Sequence, residues 1–139
     1  MTNIHTGSCL CGAVRLTTTG NLRGVVYCHC SQCRKQTGHY FAATNVSNAD
    51  LTIDGGENIT WFRSSDFAER GFCRTCGSAL FWKPRDGDYI SVLAGLFDKP
   101  TGLKGECHIF LADKGDYYSV GDDLPKFEKS PRSVKVAES

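Results

Sequence analysis

Seven of the eight cysteines in this chain fall into three short clusters. They are Cys9-Leu10-Cys11-Gly12, Cys28-His29-Cys30-Ser31-Gln32-Cys33 and Cys73-Arg74-Thr75-Cys76-Gly77. Thiolates at such spacings bind soft or borderline metal ions, because a C-x₂-C turn followed by Gly aims two sulfurs at one point and lets backbone N–H groups approach them. Cys73 and Cys76 form such a half-site, and C-x-C at Cys9 and Cys11, again followed by Gly, forms a second. Counting ligands gives the pairing. Cys9, Cys11, Cys73 and Cys76 supply four thiolates for a closed structural zinc that clamps the first strand to a mid-chain hairpin. Cys28, Cys30 and Cys33 supply three ligands within six residues and leave a fourth position for water, a neighbouring side chain or an external ligand. An open position is what chemistry needs. Thiolate ligation favours zinc over magnesium or calcium, and an iron–sulfur cluster would claim four cysteines of its own. Two zinc ions per chain are therefore expected.

Other readings of the same residues stay open. Cys73-x-x-Cys76 is also the spacing of a redox dithiol, although no βαβ context accompanies it. The triplet can also form a closed structural site completed by His29, Cys107 or a more distant residue, although the open site is the favoured reading. Cys107 lies in a strand-like run and reads as a buried small hydrophobe. His29, between two ligands in extended backbone, is expected to face away from the ion, either supporting the ligands or lying at the surface. Arg34 and Lys35 follow the triplet directly and can dock carboxylates of a glutathione-like ligand, or simply be solvated charges. Tyr40 and Phe41 can wall a pocket or fill a core.

The elements that must position these residues read as strands. Runs at Ala13–Thr19, Gly24–Tyr27, Tyr40–Asn45, Leu51–Asp54, Ile59–Arg63, Ala79–Lys83, Tyr89–Ala94 and Cys107–Leu111 alternate with turn signals. No apolar period of 3.6 is sustained, so the one helix predicted is a turn or two over Ser31–Thr37, ended by Gly38. The expected fold is mainly β with little helix. At 139 residues the chain is one domain, read here as residues 1–124 followed by a polar C-terminal tail, 125–139, with little to bury.

Composition narrows the function. Sixteen basic and fifteen acidic residues give a net charge of +1, without the basic excess of a nucleic-acid binder. No apolar run approaches the roughly 20 residues of a membrane-spanning helix. The opening Met-Thr-Asn-Ile-His-Thr has no basic and apolar leader, and with eight cysteines this points to a reducing cytoplasm, where metal ligation outweighs disulfides. No nucleic acid and no membrane are thus expected as partners.

The motifs Gly7-x-Cys9-x-Cys11-Gly12, Cys28-His29-Cys30-x-x-Cys33-Arg34-Lys35 and Gly71-Phe72-Cys73-x-x-Cys76-Gly77-Ser78, in this order, resemble the glutathione-dependent formaldehyde-activating enzyme family, also called the centromere-protein-V domain family. The likeness spans roughly residues 7–118, with His108-Ile109-Phe110 and Asp116-Tyr117-Tyr118 similar to the family's C-terminal strand region. Many relatives carry Trp near Tyr117 or Tyr118, and this chain does not. The resemblance implies a β-tent fold of small antiparallel sheets with zinc knuckles, a structural zinc on Cys9, Cys11, Cys73 and Cys76, and a more labile zinc on Cys28, Cys30 and Cys33. It further implies a carbon–sulfur lyase that joins glutathione and formaldehyde to S-(hydroxymethyl)glutathione, with glutathione as the small-molecule thiol partner. The alternative is a non-catalytic zinc module that binds a thiol, an aldehyde or a protein.

Overall fold

The computed structural model describes residues 3–131. Strands β1 (Ile4–Ser8), β2 (Arg15–Thr19) and β3 (Val25–Cys28) precede helix α1 (Ser31–Thr37). Strands β4 (Phe41–Ser47), β5 (Leu51–Asp54), β6 (Ile59–Arg63), β7 (Ala68–Cys73), β8 (Ala79–Pro84), β9 (Tyr89–Leu93) and β10 (Gly105–Ile109) follow. The fold is mainly β, as expected, with α1 the one α-helix among the described residues. Its bounds match the sequence expectation, and left-handed Gly38 ends it.

The strands form two sheets, one of three strands in the order β1-β2-β5 and one of seven in the order β10-β3-β4-β9-β8-β7-β6. Pairing in the larger sheet is antiparallel except for its parallel β10–β3 pair. Two strands escaped the sequence reading. β1, Ile-His-Thr-Gly-Ser, lacks the apolar alternation that signals a strand, and is held by its antiparallel ladder to β2. β7 carries Glu69, Arg70 and Gly71 in its middle, yet pairs on both edges, with β6 and β8.

One core lies between the sheets and contains Leu16, Leu80, Phe81, Ile90 and Val92 together with Cys9 and Cys73. The other covers the opposite face of the large sheet and contains Val26, Phe41, Trp82 and Ile109 with Cys30 and Cys33. Strand alternation supplies both: in β4, Phe41 and Ala43 enter the second core while Val46 enters the first.

The segment beyond Pro125, expected to pack weakly, is pinned where it begins. His108 N–H donates to Pro125 O (2.9 Å), Phe127 N–H to His108 O (2.9 Å) and Leu111 N–H to Phe127 O (3.1 Å). The exposed backbone of edge strand β10 needs partners, and this segment supplies them. Residues 132–139 of the expected tail lie outside the described residues. Among the described residues no helix is long and apolar enough to cross a membrane.

Candidate metal centres

Cys9 and Cys11 lie in the loop that joins β1 and β2 of the three-stranded sheet, whereas Cys73 ends β7 and Cys76 sits in the turn to β8. Their sulfurs all lie within 4.8 Å of one another. Cys9 Sγ is 3.6 Å from Cys11 Sγ, and Cys11 Sγ is 3.8 Å from Cys73 Sγ. A tetrahedron with Zn–S bonds of about 2.3 Å has edges of about 3.8 Å, so the four donors fit such an ion. Backbone N–H groups donate to the sulfurs as the motif requires, Val14 to Cys9 (3.3 Å) and Cys76 to Cys73 (3.5 Å). Gly12 (φ 81°) and Gly77 (φ 80°) turn the chain after each pair in the left-handed region that side chains avoid. The Ser78 hydroxyl, 3.2 Å from Cys76 Sγ, pulls that thiol down to about 5. The quartet ties the two sheets together.

Cys28 ends β3, Cys30 is the N-cap of α1 and Cys33 lies in its first turn, so one strand-to-helix junction delivers all three sulfurs within 4.8 Å. Cys30 Sγ accepts from Cys33 N–H at 3.3 Å. Interaction with Cys30 and Cys33, reinforced by burial, pushes the Cys28 thiol far up. At Cys33 the hydrogen bond from Cys28 pulls down, but Cys30 and burial outweigh it and lift the thiol to about 12. Three sulfurs this close, those of Cys30 and Cys33 buried, ionise together only beside a cation, so the donor set suits a bound metal ion. They face a cavity of about 30 Å³ whose wall includes Arg23, Phe41, Arg70 and Ser91. That space is far too small for a peptide and admits little more than a donor atom beside the sulfurs.

Arg70, on β7, was not singled out from the sequence. Its guanidinium is buried, with Nη1 and Nη2 each donating to Cys33 Sγ at 3.5 Å and the group stacked over Phe41, 5.4 Å from the ring centroid. A buried cation beside clustered sulfurs offsets their negative charge. The signal available in the sequence was period two. Ala68, Arg70 and Phe72 share one face of β7, and Gly71 and Cys73 the other, so a strand ending in a ligand of the quartet turns its arginine toward the triplet.

Outside this cavity lies an open groove of about 570 Å³, within the range of small-molecule sites, lined among others by Gln32, Lys35, Gln36, Phe62, Arg70 and Phe72. Lys35 lies here, whereas Arg34 does not line it. Phe41 walls the sulfur cavity, while Tyr40 packs against the rings of Tyr27 (5.4 Å) and His29 (5.0 Å). Cys107 is buried in the core and belongs to neither cluster.

His29 turns away from the sulfurs, as alternation requires, but it is fully buried rather than superficial. Its Nδ1 is 2.5 Å from Tyr118 Oη, its Nε2 is 2.9 Å from His108 Nδ1, and His108 Nε2 is 2.7 Å from Asp122 Oδ2. The hydrogen bond from His108 holds the Asp122 carboxyl down at about 2, and burial pushes the His29 imidazole down to about 4. The ionised carboxylate only accepts, so His108 donates through Nε2–H. With neutral rings, His29 then donates through Nε2–H and accepts the Tyr118 hydroxyl proton at Nδ1. This chain of bonds anchors the residue between Cys28 and Cys30 to the 118–122 loop. His108→Phe should preserve the stacking on Tyr27 (4.9 Å) but leave His29 Nε2–H buried without an acceptor. The expected loss is about 1–3 kcal/mol in urea unfolding, with faster metal release from the triplet to a chromogenic chelator and an unchanged rate from the quartet.

Fold and sites together define a mainly β protein with two cysteine clusters able to hold metal ions, one closed by four sulfurs and the other offering three. Sequence comparison makes the assignment specific: the chain belongs to the glutathione-dependent formaldehyde-activating enzyme family, whose model matches residues 4–113. It is 28% identical over 124 residues to an uncharacterized lyase of Schizosaccharomyces pombe, covering 88% of this chain and 90% of that protein. It is 32% identical over 124 residues to a Halomonas elongata protein named for the glutathione-dependent formaldehyde-activating reaction, covering 82% of this chain and 79% of the relative. A Rhodobacter sphaeroides protein of known crystal structure superposes with a TM-score of 0.58 at 29% identity, covering 68% of this chain and 88% of that one.

Proposed function

We propose that this protein is a zinc-dependent carbon–sulfur lyase-type enzyme that forms and cleaves S-(hydroxymethyl)glutathione. The observation that carries the reading is the juxtaposition of a three-sulfur cavity with a ligand-sized groove, the two sharing Arg70 in their walls. Family membership and the names of the relatives support it. Cys28, Cys30 and Cys33 would hold one zinc, and Cys9, Cys11, Cys73 and Cys76 a structural second. When bound at the triplet, zinc would lower the pKa of an arriving thiol and favour its thiolate. The protein's own groups do the rest. Lys35 offers a cation to a glutathione carboxylate in the groove, Arg70 offsets the sulfur charge, and the narrow cavity excludes bulk water from the thiol.

In the forward direction a bond forms between the glutathione sulfur and the carbonyl carbon of formaldehyde. The carbonyl π pair moves to oxygen, which gains the proton that the thiol lost. This chemistry belongs in a reducing, glutathione-rich compartment such as the cytoplasm, a setting that suits a chain with eight cysteines, seven of them at metal-binding spacings. The test is adduct formation from glutathione and ¹³C-formaldehyde followed by NMR. Zinc-loaded protein is expected to exceed the protein-free rate, and chelator-treated protein to fall back to it. A loaded protein no faster than buffer would leave the non-catalytic binding module as the reading.

A further inference from the structure

Arg70 is 3% exposed, yet it borders both the sulfur cavity and the outer groove. Besides its two contacts to Cys33, Nη1 donates to Gln36 Oε1 at 3.0 Å, which leaves Nε buried without a hydrogen-bond partner. Gln32, another residue of the groove wall, carries a second unmatched atom. Gln32 Nε2 donates to Ser64 O at 3.1 Å, and because a carbonyl can only accept, that bond fixes the other end of the amide as Oε1. Gln32 Oε1 is buried and has no partner. Buried donors and acceptors left unpaired are costly, and a ligand bringing both an acceptor and an N–H would satisfy them.

Charge points the same way. A divalent ion with three thiolates carries one negative charge, and Arg70 cancels it, so a fourth anionic sulfur meets a neutral set instead of a repelling one. Lys35 adds a positive charge in the groove, and among the described residues no acidic side chain lines either space. Size divides the ligand between the two spaces. The cavity of about 30 Å³ accepts a donor atom and little more, so the body of the ligand must lie in the groove of about 570 Å³.

We infer that Arg70, assisted by Gln32, is the specificity-determining residue of this site: it admits small peptide thiols bearing carboxylates and amide N–H groups, and disfavours cationic thiols. The inference deepens the proposed function, resting on its placement of a thiol beside Cys33. It assigns Arg70 a selective role beyond charge balance, and Gln32 Oε1 the role of acceptor for a ligand N–H.

The test is calorimetric titration of zinc-loaded protein with glutathione and with cysteamine, a cationic thiol without carboxylates, with zinc content measured on every sample. Wild type should prefer glutathione by about tenfold or more, the effect of one charge-assisted hydrogen bond. Arg70→Gln should keep two zinc ions and lose the preference. Arg70→Lys should recover part of it, having the charge without the planar fork. Gln32→Leu should weaken glutathione several-fold, as loss of one neutral hydrogen bond does, with cysteamine unchanged. Wild type without a preference, or Arg70→Gln with two zinc ions and the wild-type ratio, overturns the inference. If Arg70→Gln does not fold, wild-type ratios in both Arg70→Lys and Gln32→Leu overturn it. Selective binding of glutathione without adduct formation would sink the lyase reading and leave the role of Arg70 standing. Turnover with an unchanged ratio in Arg70→Gln would do the reverse.

Discussion

Cys73→Ser is expected to yield no stably folded protein. Cys73 is fully buried at the end of β7, and its sulfur shares a 3.8 Å edge with Cys11 from the other sheet. Removing one of four thiolates from a closed site sacrifices much of a binding free energy of about 10–16 kcal/mol, comparable with the about 5–15 kcal/mol that holds a whole domain together. The sheet-to-sheet connection would then depend on the interior around Leu80 and Phe81 alone. Circular dichroism should show loss of the cooperative thermal transition, and a strong chelator should produce the same state from wild type. A Cys73→Ser protein with wild-type cooperativity and two bound zinc ions would contradict the structural role of the quartet.

Cys30→Ser should have the opposite profile, with the fold kept and the activity lost. Serine is among the best N-cap residues, so its hydroxyl can take over the bond from Cys33 N–H that the sulfur accepts at 3.3 Å, and α1 should keep its start. The quartet lies between the sheets, remote in sequence from this junction, and should hold its ion. Zinc content is expected to fall from about two per chain to about one, because the triplet is left with two sulfurs where zinc sites ordinarily have at least three protein ligands. Adduct formation should drop to the protein-free rate while the unfolding transition stays cooperative. Global unfolding of Cys30→Ser would instead make the triplet a structural site.

The contrast between these variants follows from where each cluster sits. The triplet belongs to one local junction, β3 into α1, that strand pairing already holds: Cys28 is paired with both Phe41 of β4 and Ile109 of β10. The quartet joins two chain segments more than sixty residues apart and so replaces contacts that a small domain is short of.

Local spacing made the cysteine half-sites, α1 with its Gly38 stop and most strands legible, since C-x-C, C-x₂-C, helix caps and period-two runs depend on neighbours a few residues away. Ligand counting then paired the half-sites in the grouping that the structure brings together. Other features depended on long-range packing. β7 became a strand despite Glu69, Arg70 and Gly71 because it is paired on both edges, and Gly71 fits because Trp61 lies over it, where a Cβ would come within 2.9 Å of the ring. His29 became a buried link in a chain ending at Asp122, ninety-three positions along the sequence. Arg70 reached Cys33 because α1 lies on the face of the large sheet to which β7 turns that side chain. Amino-acid order thus specified the two sets of candidate metal donors, through spacings whose bite is local. Tertiary structure decided the surroundings of those donors, because the charges, hydrogen bonds and groove that act on the sulfurs come from strands that only sheet pairing brings alongside.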